Sequence, residues 1–251
     1  MKKVLGACLA LGAFSAVQAQ LYVYDDFSAS DSGMGFSESS WSSPITYSVA
    51  IELAPGLGQY VENSNFGESF RRISATAKAA IDARTAGGQT FWVGFLTRWH
   101  GAAGPNQQNY GGVQLRQGAS GTGSKRFFLG APWEAANWGA GTEGDTNSAE
   151  SGIALSETVR LITCELNLTT GLADMYVDNS LVLTGLAINS GSVTMTTLDV
   201  LKIEAGSGDG QKIAVDELRI GATSADVQPV PEPATMAVLG LGALALIRRR
   251  K

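Results

Sequence analysis

An all-β sandwich is the fold class that this sequence of 251 residues predicts, and three observations predict it. Glycine is abundant, at 31 residues, and clusters with serine and asparagine at short intervals, which is the punctuation of many tight turns. Between those clusters lie short runs that alternate apolar and polar residues or carry β-branched and aromatic ones, the period-two signature of a strand with one buried face. Helical patterning is confined to one stretch, residues 74–84, whose alanines also suit a strand running into a loop. Hydrophobic residues make up 44% of the chain, enough for a core. About 205 residues between the two ends, with no composition break and no fixed-period repeat, suit one domain.

Read from the N-terminus, residues 1–19 have the form of a signal peptide. Met1, Lys2 and Lys3 give a basic start, residues 4–17 are apolar apart from Ser15, and Val17-Gln18-Ala19 places small residues for cleavage before Gln20. A lipoprotein reading would use Leu5-Gly6-Ala7-Cys8, but that cysteine stands at the front of the apolar run rather than behind it. Strands are then expected over residues 22–27, 47–53, 91–99, 112–116, 127–130, 159–168, 173–177, 198–204 and 213–220, within a domain spanning residues 20–225. Residues 166–182 read as a meander: a strand, a turn at Gly171, a second strand, a turn at Asp178-Asn179 and a third short strand. Residues 226–251 close the chain with Pro231-Glu232-Pro233, fourteen residues without a charge (234–247) and Arg248-Arg249-Arg250-Lys251. As a helix that run rises roughly 21 Å against roughly 30 Å of hydrocarbon, short for a permanent span, and the basic cluster holds it on the cytoplasmic side.

Two resemblances follow from these residues. Pro231, Glu232 and Pro233, the apolar segment and the basic tail resemble the PEP-CTERM sorting signal. The resemblance implies an exosortase-type processing enzyme in the inner membrane, contact with the membrane through the C-terminal helix before processing, and delivery to the cell surface or exopolysaccharide matrix of a Gram-negative bacterium. A plain tail anchor is the other reading. The meander, together with Ala214-Val215-Asp216-Glu217-Leu218-Arg219-Ile220-Gly221, resembles the laminin G-like and concanavalin-like jelly roll, in which this last strand would lie near Tyr24-Asp25-Asp26-Phe27.

Alternation turns Asp25 and Asp216 toward the apolar side of their strands, where a carboxylate needs a partner. Asp25, Asp26 and Asp216 are therefore candidate ligands for a structural Ca2+, which the jelly-roll resemblance also implies. Ion pairing with Arg71, Arg72 or Arg219 is the competing role.

Composition and motifs argue against several activities. One histidine cannot build a two-histidine zinc site. Removing residues 1–19 and 231–251 leaves 12 positive and 22 negative charges, a net −10 that opposes binding to nucleic acid. Cys164 is then alone and reads as a small core residue. No Gly-x-Ser-x-Gly elbow, triad, phosphate loop or glycosidase strand with paired acids in register is present; Glu143-Gly144-Asp145 lies in a glycine-rich loop. The expectation is a non-catalytic protein. Aromatic residues placed between strands, Trp99, Tyr110, Trp133 and Trp138, with His100 and nearby Asn and Gln side chains, form a candidate polysaccharide site, since flat rings stack on sugar faces. Trp92, inside a strand, reads as structural. The alternative is a structural or interaction protein of the envelope with no glycan ligand.

Overall fold

The computed structural model describes residues 20–27, 33–37, 41–42, 46–48, 60–64, 68–105, 107, 109–118, 125–142, 147–188, 195–205 and 212–229. Residues 1–19, expected as a signal peptide, and residues 230–251, which hold the expected apolar helix, lie outside the described residues.

The first half of the chain carries β1 (Leu21–Asp25), β2 (Thr46–Ser48), β3 (Tyr60–Ser64), β4 (Glu68–Arg72), α1 (Ala75–Ala86), β5 (Phe91–His100), β6 (Gly111–Gln117) and β7 (Lys125–Ala131). The second half adds β8 (Asn137–Thr142), β9 (Asn147–Ala154), β10 (Arg160–Asn167), β11 (Leu172–Val177), β12 (Ser180–Ala187), β13 (Val200–Ala205), β14 (Lys212–Gly221) and a 3-10 turn, η1 (Ser224–Val227). Two antiparallel sheets result among the described residues. The larger runs β12-β11-β10-β5-β14-β3-β2 with β1 also on β14, and the smaller runs β4-β13-β6-β7-β8-β9. This is the predicted all-β sandwich.

The inward faces of the two sheets form one core. Phe91, Val93, Phe95, Ile162, Cys164, Leu166 and Met175 of the larger sheet are wholly buried, as are Val113, Leu115, Phe127, Leu129 and Ile203 of the smaller one. Their spacing of two along each strand is the alternation the sequence shows. Cys164 sits in this core, and burial holds its thiol well above the usual range.

Helix α1 is real rather than a strand. Ser74 accepts a hydrogen bond from the Ala77 N–H at 3.2 Å and caps it, while Ala77, Ile81 and Thr85 are its buried face. Lys78 binds Asp82 one turn on, at 2.7 Å, and Asp199 at 3.2 Å.

Strands β8 and β9 fall where residues 132–139 and 143–154 read as loop. Glycine and alanine replace the usual β-branched residues there because the backbones come close. A Cβ on Gly139 would meet the Ala149 carbonyl oxygen and approach Pro132 to 2.8 Å.

On one side β14 pairs with β5 along its length. On the other it pairs with β3 over Lys212–Val215 and with β1 over Leu218–Gly221. The register shifts where one neighbour gives way to the other, between Asp216 and Arg219, and Glu217 adopts φ +53°. The first and last strands thus lie side by side, as the jelly-roll resemblance implies.

Candidate functional site

Three of the five candidate polysaccharide residues are buried rather than presented to solvent. Trp99 is 1% exposed and its indole donates to the Ala102 carbonyl at 3.2 Å. Trp138 is fully buried on β8, with an indole N–H that meets no acceptor among the described residues. Tyr110 is buried, stacks on Phe128 at 4.9 Å and takes a 2.6 Å hydrogen bond from Gln114. These three are core residues, and the correction has a cause: the glycine-rich stretch around Trp138 is a strand, so its aromatic turns inward. Asn109 is buried and clips its own loop, accepting from the Gly104 N–H and donating to the Ala135 carbonyl. Trp133, 40% exposed, and His100, exposed beside the carboxylate of Glu157, remain on the surface.

The acidic candidates occupy the β1–β14 seam. Asp25 is buried and accepts from the Arg71 guanidinium at 2.5 Å, the Trp41 indole at 2.8 Å and the Phe27 N–H at 2.8 Å. Arg71 also lies over the Phe36 ring at 4.2 Å. Burial raises the Asp25 carboxyl, against the pull of those three donors. Asp216 is fully buried; one oxygen accepts from the Glu217 N–H at 2.8 Å and the other has no partner among the described residues. Burial and the nearby charges of Glu217, Asp26 and Asp25 push its carboxyl up to about 8. Glu217 is held by Arg219 and by the Tyr24 hydroxyl, which donates to it at 3.0 Å.

Asp25 is already engaged by the buried Arg71 guanidinium, which competes with any role as a calcium ligand. Among the described residues no group of three or more His, Cys, Asp or Glu side chains is placed to hold a metal ion. The seam holds a buried ion pair, Asp25 with Arg71, beside the buried carboxyl of Asp216.

A different site lies on the outer face of the larger sheet, and the alternation that fills the core creates it. Glu165 of β10 stands opposite Trp92 of β5 on one side and Asp174 of β11 on the other. On β12, Thr184 donates to Asp174 at 2.8 Å, and the Gly185 N–H donates to it at 2.7 Å. Glu165 accepts from Thr90 at 2.7 Å. These groups with Asn167 and Leu172 line a cavity of about 340 Å³ that opens on this face. Trp92, paired with Glu165, and Tyr176, two residues beyond Asp174 on β11, are both half-buried with ring centroids 5.3 Å apart.

Glu165 and Asp174 are directly opposed like charges, and neither forms an ion pair among the described residues. Such a directly opposed pair is unfavourable. The charge of both carboxylates, after burial, raises the Tyr176 hydroxyl. Trp92, set aside as structural from its place in a strand, is thus an outward residue. The signal for it was available, because Phe91, Val93 and Phe95 fix the opposite parity.

The segment after β14 crosses the same face. Val227 is buried against Gly94, and Gln228 reaches Asn179 in the β11–β12 turn at 2.9 Å.

Comparison with known proteins bears on the two parts of the chain separately. Residues 229–251 match the PEP-CTERM protein-sorting motif. No curated protein is matched by the sequence. A crystal structure of HCR/D-Sa-GBL1/C is similar with a TM-score of 0.52 at 9% identity, over 83% of this chain and 50% of that one. The binding domain of botulinum neurotoxin DC in complex with rat synaptotagmin II gives 0.49 at 10% identity, over 75% and 44%. A Trypanosoma rangeli sialidase gives 0.45 at 9%, over 67% and 27%. This chain therefore spans half or less of each of those chains, and the likeness is one of fold. The molecule is a two-sheet sandwich of the jelly-roll, concanavalin-like type that carries a PEP-CTERM sorting motif at residues 229–251.

Proposed function

We propose that this protein is exported with removal of residues 1–19, sorted by an exosortase-type enzyme to the cell surface or matrix, and binds polysaccharide there without catalysis. The observation that carries the binding reading is the outer-face row of Trp92, Glu165, Asp174 and Thr184, with Tyr176 beside it. A ring face for stacking, carboxylates and hydroxyls for sugar hydroxyls, and a cavity beside them are the parts such a site needs.

The lining also sets the ligand's charge. Two carboxylates without an ion pair, and no Lys or Arg among the lining residues, favour neutral or amino-sugar segments and disfavour uronate-rich ones. Depletion of the protein by insoluble neutral, amino-sugar and uronate polysaccharides tests this. Saturable uptake by the first two is expected, and preference for uronates would overturn it.

One observation favours a second reading. Glu165 and Asp174 are directly paired across adjacent strands, and a retaining glycosidase uses two opposed carboxyl groups about 5 Å apart. Release of reducing ends from a bound polysaccharide, lost in Glu165→Gln, would establish hydrolysis in place of simple binding.

Sorting has its own test. Mass spectrometry of the surface fraction should find the C-terminus near Pro231-Glu232-Pro233; an intact Lys251 there would exclude processing.

A further inference from the structure

The two processed ends of the chain meet at one buried carboxylate. Asp226, in η1, is 7% exposed. It accepts from the Thr223 N–H at 2.8 Å and the Thr223 hydroxyl at 2.9 Å, and its other oxygen accepts from the backbone nitrogen of Gln20 at 3.1 Å. Among the described residues no Lys, Arg or His side chain pairs with it. A buried carboxylate held only by neutral donors is costly, and a cation in hydrogen-bond reach removes that cost.

Gln20 is the residue that becomes the N-terminus when residues 1–19 are removed. Its nitrogen, an amide in the precursor, then becomes an α-ammonium at the same position. The surroundings are already tied to it: the Ala222 N–H donates to the Gln20 carbonyl at 3.1 Å, and Arg84 holds the Ala222 carbonyl at 2.8 Å. The same segment continues through Val227 and Gln228 to Pro229, where the sorting motif starts.

We infer that the new N-terminus is itself a ligand of this domain: the Gln20 α-ammonium docks on Asp226 and fixes the strap, residues 222–228, that joins the sandwich to the sorting motif. The inference rests on the signal-peptide cleavage proposed above. N-terminal removal thereby completes a site that the precursor leaves without its charge, and charge-assisted hydrogen bonding replaces a neutral one. A chemical consequence follows for Gln20. A free N-terminal glutamine cyclises when its neutral α-amine attacks the side-chain amide carbon: the N–Cδ bond forms, the Cδ–Nε2 bond breaks and ammonia leaves. Held as an ammonium on Asp226, the amine cannot attack.

Four versions of the full chain, exported and purified from the host, test this. They are the natural protein, Asp226→Asn, a chain with one threonine inserted between Ala19 and Gln20, and the combination. The insertion keeps the Gln20 nitrogen an amide after cleavage. With Asp226 present, the insertion should lower Tm by roughly 2–4 °C. With Asp226→Asn it should change little, and that variant alone should show Gln20 cyclised by mass spectrometry. A natural protein that begins at Gln20 but loses the same Tm on insertion in both backgrounds would overturn the docking. A natural protein that begins elsewhere would overturn the cleavage reading and the docking together.

Discussion

Asp216 shows how one residue's surroundings set a property of the whole protein. Its carboxyl is raised to about 8 by burial and by the neighbouring charges of Glu217, Asp26 and Asp25. An acid whose folded pKa exceeds its unfolded value near 3.8 binds more protons folded than unfolded between those values, so stability falls as pH rises through that window. The slope is about 1.4 kcal/mol per pH unit for one such group, and the loss is complete above about pH 8. Asp216→Asn removes the titration. Thermal melts should show a gain in Tm at pH 8 that disappears near pH 4; equal gains at both would contradict the assignment. The sequence made the burial of Asp25 and Asp216 legible through alternation. It offered Arg71, Arg72 and Arg219 as partners without choosing among them, because the contact of Arg71 with Asp25 at 2.5 Å joins strands 46 residues apart. Nor did it separate Trp133 from Trp99 and Trp138: short glycine-rich windows read alike as loop or as closely packed strand.

The elements that were read best are those whose signals are local. Asp178 and Asn179 take φ of +50° and +65°, the two-residue hairpin turn that their types announce between β11 and β12. Gly171, at φ +71°, closes the preceding turn. Strands β8 and β9 were missed for the reason given by Gly139, where backbone approach outweighs β propensity. The strap over the outer face was equally hidden, since nothing near Val227 marks its contact with Gly94. A Cβ at Gly94 would stand 2.6 Å from the Val227 carbonyl oxygen and 2.9 Å from its Cβ. Gly94→Ala should therefore lift the strap or push β5, costing on the order of 1–3 kcal/mol. Denaturant unfolding of that variant checks the cost, and proteolytic cutting within residues 222–228 should rise with it. An unchanged midpoint would mean that the strap does not press on β5.

For the whole molecule, the layout separates tasks between the two faces of the larger sheet. Its inner face builds the core with the smaller sheet, and its outer face carries the aromatic and acidic row on β5, β10, β11 and β12 and, next to it, the strap leading to residue 229. The proposed ligand face and the strap that ends at residue 229 thus share one side of the sandwich. The net charge of −10 over residues 20–230 agrees with a ligand that is not itself acidic. The central claim, that polysaccharide is held on this face, is tested most directly by affinity depletion with three variants, Trp92→Ala, Tyr176→Ala and Trp133→Ala, each shown to keep the natural melting profile. Loss of roughly tenfold or more in affinity for Trp92→Ala and Tyr176→Ala, with Trp133→Ala unchanged, is the expected result, a stacked ring being worth about 1.4 kcal/mol or more. Full binding by both outer-face variants and loss in Trp133→Ala would place the ligand on the loops and contradict the account.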